Sequence, residues 1–302
     1  MGTYLPLIYV LLFTLFWSLQ IFVAKLGYLA GAQLISFTLQ SSAITLFLLG
    51  IYTILIKNKE LKKVPPKLKR KFYLAGAIHA GLGGFLSSAA ILYTSAINVA
   101  FIFQFTTVTT PTLAWIFLGE KMDRNKIVTI TLVMIGIFLF VTKGTLITPH
   151  MGDIFALIAC IAWSSGNVFI RGILKKHSVD ADIATFFRPI GGLTLLVLFF
   201  LMSPLYPSEL KSVFQVNLFD FHLFPYVFIN ALFIAFTWSF LSRALKVGNA
   251  SYMSIMSSLS PVIVGILAYA FLHETLSTIQ LIGAGFIVFG GLITHYLKFD
   301  KI

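Results

Sequence analysis

The sequence predicts an all-α polytopic membrane protein: ten transmembrane helices forming two inverted five-helix repeats. Three observations predict it. First, 58% of the 302 residues are hydrophobic and only 11% are charged, against about 25% charged in soluble domains. Second, apolar runs of about 20 residues, long enough to cross a bilayer core, recur along the whole chain. Third, the chain repeats itself. Trp17-Ser18 followed by Lys25 returns 146 residues later as Trp163-Ser164 followed by Arg171. Leu118-Gly119-Glu120 is matched by Leu272-His273-Glu274, and Gly136 by Gly290, each 154 residues on.

The ten spans run approximately Leu5–Leu26, Leu34–Ile56, Phe72–Tyr93, Val99–Leu118, Ile127–Thr142, Ile154–Leu174, Ile183–Ser203, Leu223–Ser242, Tyr252–Leu272 and Thr278–Leu297. The first lacks a basic leader and a clear small-residue cleavage site, so it reads as a retained span and not a signal peptide. The widest connection, Pro204 to His222, is expected to hold a short surface helix. With the N-terminus inside, 18 of the 22 Lys and Arg fall in inner connections and three in outer ones. That bias orients both termini to the cytoplasm. Five spans per copy is an odd number, so the second copy enters from the opposite face. The repeats are expected over residues 1–148 and 149–302.

Composition also excludes. The net charge of +12 comes largely from span ends and from the eight basic residues between Lys57 and Lys71, which is membrane orientation and not a nucleic-acid surface. Cys160 is the sole cysteine, so no intrachain disulfide can form. No cluster of His, Cys, Asp or Glu, no HExxH and no GxSxG is found, so neither enzyme chemistry, a metal nor a cofactor is expected. No acidic residue occupies the middle of a span. Proton and sodium pumps commonly place one there, so facilitated diffusion or exchange is expected, with proton coupling through His79 the exception.

These motifs resemble the drug/metabolite transporter superfamily in its EamA-type ten-span branch. The likeness rests on Trp17-Ser18 with Lys25 and Trp163-Ser164 with Arg171, on Ala96-Ile97 and Ala244-Leu245, on Leu118-Gly119-Glu120-Lys121 and Leu272-His273-Glu274-Thr275, and on Gly136 and Gly290-Gly291. It covers nearly the whole chain. Gln40 stands where the family often has an arginine that Arg188 keeps in the other half. His273 replaces a glycine. Pro111 lies four residues later than a copy of Pro261 would. The resemblance implies a transporter but leaves its substrate open.

Candidate substrate-binding residues are Trp17, His79, Gln104, Thr107, Trp163, Asn167, Arg188 and Ser257. Pro111 and Pro261 each free the carbonyl four residues earlier, Thr107 and Ser257, and such polar bent segments suit a cavity or a hinge as well as a plain packing kink. Trp17 and Trp163 precede polar positions on their helices and can stack on planar substrates, whereas Trp115 and Trp238 read as lipid-facing or interfacial anchors. His79 is the clearest histidine inside a span. Asn98, Gln104 and Asn230 read first as interhelical glue. Lys25 and Arg171 read as snorkelling cations, and Arg188 is the best candidate for an anionic group. Glu120 and Glu274 read as caps of nearby helix ends. Gly76, Ala80, Gly84 and Ser88 form a small-residue stripe in the third span.

The expected function is a secondary carrier of small organic metabolites across the cytoplasmic membrane, with amino acids among the fitting substrates. Inverted repeats supply two near-equivalent shapes, one open to each side. The expected partners are a small-molecule metabolite and the lipid bilayer, with the protein a monomer or weak homodimer and no nucleic acid. A nucleotide- or nucleoside-like substrate is the alternative. A lipid flippase, a channel or a membrane scaffold stands behind it.

Overall fold

The computed structural model describes residues 5–93, 102–145, 150–205, 221–272 and 276–296. Among them the regular structure is entirely helical: α1 (Leu5–Leu29), α2 (Leu34–Ile56), α3 (Asn58–Lys63), α4 (Pro66–Gly76), a π-helical turn (Ala77–Leu82), α5 (Gly83–Tyr93), α6 (Thr106–Leu118), α7 (Arg124–Thr142), α8 (Met151–Lys176), α9 (Ala181–Leu201), a 3₁₀ turn (Ser203–Leu205), α10 (Phe224–Val247), α11 (Ala250–Ser257), α12 (Ser260–Leu272) and α13 (Thr278–Tyr296). Eight stretches are long and apolar enough to cross a membrane, with α11 and α12 counted as one. The run α4–π–α5 and helix α6 occupy the places of the expected third and fourth spans. Asn98, His273, Glu274 and most of the Pro204–His222 connection lie outside the described residues.

Burial is that of a lipid-solvated bundle. Leu11, Leu15, Phe47, Ile51 and Leu55 point outward, the last 76% exposed, while Thr14, Ser18, Ser41, Thr45 and Ser164 are fully buried. Water would invert that arrangement. In a bilayer the outer face has nothing to gain by hiding, and the hydroxyls have no solvent to bond.

Contacts between helices fix their relative directions. Tyr9 lies against Phe240 and Phe16 against Phe233, so α1 and α10 are antiparallel. A side chain at Gly83 would meet Trp163, and one at Gly166 would meet His79, so α4–π–α5 and α8 are antiparallel too. Thr45 donates to Ala231 O and Ser41 approaches Val227 O, making α2 and α10 parallel. Gly76 abuts Arg188 and Gly81 abuts Leu195, making the third span and α9 parallel. Each of these contacts between the halves therefore has a counterpart in which the two repeats exchange places. Helices α7 and α13 close the arrangement, crossing antiparallel where Gly136 meets Gly283 O and Gly290 meets Val133. Added Cβ atoms there would fall within 3 Å of those neighbours, so glycine permits the close approach.

Two spans are broken. The ninth turns at Ser258–Leu259, between α11 and α12, and the fourth turns at Gln104–Phe105, just before α6. These breaks are 154 residues apart, the same register as the paired Leu-x-Glu motifs. Pro111 and Pro261 lie beyond the breaks, and the four-residue discrepancy between them is one helical turn.

The α10–α11 turn shows how the halves are joined. Gly119 adopts φ 66° at the end of α6, a left-handed conformation that favours glycine. The reversed chain delivers Glu120 to the start of α11. Its carboxylate accepts from Ala250 N at 2.8 Å, Ser251 N at 3.1 Å and Ser251 Oγ at 2.5 Å. Asn249 caps the next amide, Tyr252 N, at 2.6 Å. On the other side of the turn, Arg171 Nη1 donates to Leu245 O at 2.9 Å and Lys246 O at 3.0 Å. Anion at an N-terminus and cation at a C-terminus both complement the helix dipoles. Glu120 is thus a cap, as its place in the sequence suggests. Arg171 is buried and does not snorkel, because α10 ends beside it.

Replacing Glu120 with Ala strips three buried donors of their acceptor. The expected loss is about 3 kcal/mol, read as a lower midpoint of thermal unfolding in detergent. Glu120→Gln, which keeps an acceptor oxygen, is expected to recover part of it.

Candidate functional site

A cavity of about 940 Å³ lies between the halves, bordered by α1, α2, the third span, α6, α8 and α10–α12. At one end it is rimmed by helix termini carrying Lys25, Tyr28, Lys143 and Gln280. At the other end it is stopped by an apolar plug that includes Val10, Leu68, Phe72, Leu174 and Leu245. The pocket is therefore open toward one membrane face.

Six of the eight candidate residues line it: Trp17, His79, Gln104, Trp163, Asn167 and Ser257. Thr107 and Arg188 do not. Thr107 is fully buried with its hydroxyl unpartnered. The break at Gln104–Phe105 sets the rotation of α6 so that Thr106 and Thr110, one turn apart, face the cavity instead. Arg188 is also fully buried. Its two Nη atoms both donate to Asn167 Oδ1, each at 3.3 Å, and its Nε has no partner. Asn167 stands between the guanidinium and the pocket.

The aromatic residues sort by helix face. Trp17 stacks on Phe13 with centroids 5.6 Å apart. Trp163 meets Phe103 edge-on at 4.8 Å. It lies so close to Gly83 that a Cβ there would be 2.4 Å from the indole Cδ1. Trp238 lines the cavity too, contrary to the lipid-facing expectation, because it shares a face of α10 with Asn230, Ile234, Thr237 and Leu241, turned away from the 40% exposed Phe236. Trp115 is 54% exposed, as a lipid-facing residue should be.

The serine after each motif tryptophan serves another purpose. Adjacent residues on a helix diverge by about 100°, so while Trp17 turns to the cavity Ser18 turns to α12. It donates to Ser260 Oγ at 2.9 Å. Ser164 likewise meets Thr110 Oγ1 at 2.8 Å and Thr109 Oγ1 at 2.6 Å. Ser260 and Thr110 each directly precede a proline. The first helix of each half is therefore bonded to the proline-bearing helix of the other. The doubled Trp-Ser reads as duplication in the sequence; only the packing reveals this exchange.

His79 sits in the π-helical turn, with Nδ1 unpartnered. Such turns recur at functional sites. Asn230 Nδ2 donates to Ser41 Oγ at 3.0 Å, the interhelical role expected of it, while the residue also lines the cavity.

Beyond the plug lies an ionic clasp that the charge count had absorbed into membrane orientation. Lys57 Nζ is 2.7 Å from Asp180 Oδ2 and 3.8 Å from Asp182 Oδ2. Arg243 Nη2 is 3.0 Å from Asp182 Oδ1, and Tyr52 donates to Asp182 Oδ2 at 2.9 Å. The group joins the end of α2 in one half to α9 and α10 in the other. The hydrogen bond to Asp180 raises the Lys57 pKa above its ordinary value. Burial alone would raise that of Asp180, but the Lys57 hydrogen bond and the Asp182 N–H outweigh it and lower it. A lowered carboxyl pKa stabilises above its ordinary value of about 3.9 and a raised lysine below about 10.4. The Lys57–Asp180 pair therefore stays ionised on both sides across the physiological range.

Comparison with known proteins agrees with this architecture. The model of the EamA-like transporter family matches residues 5–142 and again 150–296, and the chain belongs to that family. It is 25% identical over 296 residues to the uncharacterized transporter YyaM of Bacillus subtilis, covering 94% of this chain and 92% of that one. It is 26% identical over 303 residues to an uncharacterized transporter of Clostridium kluyveri, covering 95% and 92%. A solved crystal structure superposes with a TM-score of 0.76 over 97% of this chain and 96% of that one, at 16% identity, which shows a shared fold. The protein is thus a multi-pass membrane transporter and not an enzyme.

Gly83→Ala is expected to push the Trp163 indole off the third span and into the cavity, since the added methyl has no other room. A shift in tryptophan emission and a loss of flux of at least fivefold, with an unfolding midpoint nearly unchanged, are the expected readings.

Proposed function

We propose that this protein is a secondary carrier of small organic metabolites, working by alternating access across the cytoplasmic membrane. The observation that carries the reading is a large pocket, mostly apolar and aromatic with hydroxyls and amides set among them, open at one end and sealed at the other, between halves whose contacts are inverted copies. A pocket of about 940 Å³ accommodates solutes from amino acids to nucleosides, and the tryptophans give their flat faces something to stack on. We assign the repeats to residues 1–148 and 149–302 and count ten spans. Both termini are taken as cytoplasmic on the basic bias of the connections. On that orientation the pocket opens outward, and the apolar plug with the Lys57–Asp180–Asp182–Arg243 clasp closes the inner side.

A channel is disfavoured by that seal, since a pore needs a continuous path. Coupling is assigned as facilitated diffusion or exchange, because the chain's carboxylates are in connections or at span ends. Purified protein in liposomes, screened against a metabolite library by thermal shift and then by uptake, is expected to show saturable flux with counterflow. Non-saturating conductance with no counterflow would overturn the carrier reading.

The clasp spans both halves, so opening the inner side requires breaking it. Asp182→Asn is expected to shift the protein toward the inward-open shape. A Leu68→Cys reporter in a Cys160→Ala background should then be labelled at least threefold faster by a maleimide supplied from the inner side.

A further inference from the structure

Arg188 carries a charge that nothing described in the protein neutralises. Its side chain is fully buried, and arginine does not deprotonate in proteins. Of its five N–H donors, the two that find a partner share one amide oxygen, Asn167 Oδ1, at 3.3 Å. Both distances are long for a charge-assisted bond. Nε has none. A cation inside a membrane span is costly and is ordinarily paired. Among the described residues that line the pocket there is no Asp or Glu to pair with, and the charged ones are Lys25 and Lys143 at its rim.

Asn167 relays this imbalance. Its oxygen is turned to Arg188, which leaves the Nδ2 donors for the cavity it lines. His79, also on the wall, is over nine-tenths buried with Nδ1 unpartnered. Arg188 thus stands behind Asn167 on the pocket wall, with amide donors and no described acid on the lining. Low dielectric strengthens its field. A cationic solute would meet repulsion from Arg188. A zwitterion would gain a place for its carboxylate and no described carboxylate for its ammonium.

We propose that the substrate class is the organic carboxylate, a monoanion with a flat or apolar body. Its carboxylate sits against Asn167 Nδ2 in the field of Arg188, and its body lies against Trp163 and Trp17. The proposal rests on the carrier reading above and narrows it.

The test uses the full-length protein in detergent carrying Trp115→Phe, which leaves three tryptophans, Trp17, Trp163 and Trp238, all on the cavity wall. Emission is titrated with four probes of one shape: 3-phenylpropionate, 3-phenylpropanamide, phenylalanine and 2-phenylethylamine. The propionate is expected to quench saturably and at least tenfold more tightly than the amide or phenylalanine, with no saturation by the amine. Asn167→Asp supplies Arg188 with an internal counter-ion. It is expected to raise the unfolding midpoint yet weaken the propionate at least tenfold, a change in charge preference that a merely structural Asn167 would not produce. Equal or tighter binding of the amide, the zwitterion or the amine overturns the charge class and leaves the cavity as a substrate site. Unchanged propionate affinity in Asn167→Asp overturns the role of the Asn167–Arg188 pair. Saturation by none of the four overturns both this proposal and the cavity as the binding site.

Discussion

A helix that breaks inside a bilayer must have its freed backbone groups paired by protein, because no water is there to take them. The rest of this structure depends on how that constraint is met. Where the chain reverses between α10 and α11, Glu120 takes the amides that open α11 and Arg171 takes the carbonyls that end α10. Where the fourth span bends, Ser254 Oγ donates to Thr106 O at 2.6 Å. Where the ninth bends, the side chain of Ser260 is held by Ser18. In the first, third and fourth of these the partner comes from the other half. Hydroxyls of the same half contribute as well, Thr106 to Phe103 O and Ser257 to Ser254 O, so the breaks are mended jointly from within each half and across the two.

The same contacts create the cavity. A continuous helix packs along its whole length; a broken one diverges after the break and leaves space. The breaks at Gln104–Phe105 and Ser258–Leu259 stand where Thr106, Ser254 and Ser257 reach the pocket. Hydroxyls used to mend the backbone are therefore also the lining. This explains why the lining is rich in Ser and Thr: these residues can bond a nearby carbonyl and still present an oxygen to a solute.

Much of this was legible in the sequence. The all-helical membrane fold and its two repeats followed from the recurring apolar runs and paired motifs, because span length depends on bilayer thickness alone. Glu120 as a cap was legible from its place just past Leu118-Gly119. Other features were not. Helical rotation decided Thr106 and Thr110 over Thr107, and that rotation is set by the break two residues upstream, which no local pattern marks. Trp238 faces the pocket because of what α10 packs against. Arg171 reads in the sequence as a snorkelling residue because its partners, Leu245 O and Lys246 O, are backbone atoms 74 and 75 residues away. The clasp is hidden for the opposite reason: its charges are visible, but the positive-inside bias alone accounts for Lys57 and Arg243, and no local pattern pairs them with Asp180 and Asp182.

The inverted symmetry is broken at one chemically important place. Arg188 belongs to the second half, and its sequence counterpart in the first is near Gln40, an uncharged amide whose Nε2 donates to Ser36 Oγ on its own helix at 2.9 Å. Both Asn167 and Arg188 lie within the second half, on α8 and α9. Under alternating access, contacts inside a half persist while those between halves at the two ends are exchanged. The clasp from Lys57 to Asp180 and Asp182 joins different halves and must open. The bonds of Ser18 and Ser164 also join halves, but they sit at mid-span beside the breaks, where a rocking motion displaces atoms least. The three sets thus divide by position. On the proposed alternating access, end contacts would alternate, mid-span hydroxyl contacts would serve as the pivot, and the Asn167–Arg188 pair would travel unbroken with one half. A binding group carried wholly by one half keeps its geometry in both states, so the solute need not be released from it for the cavity to change sides.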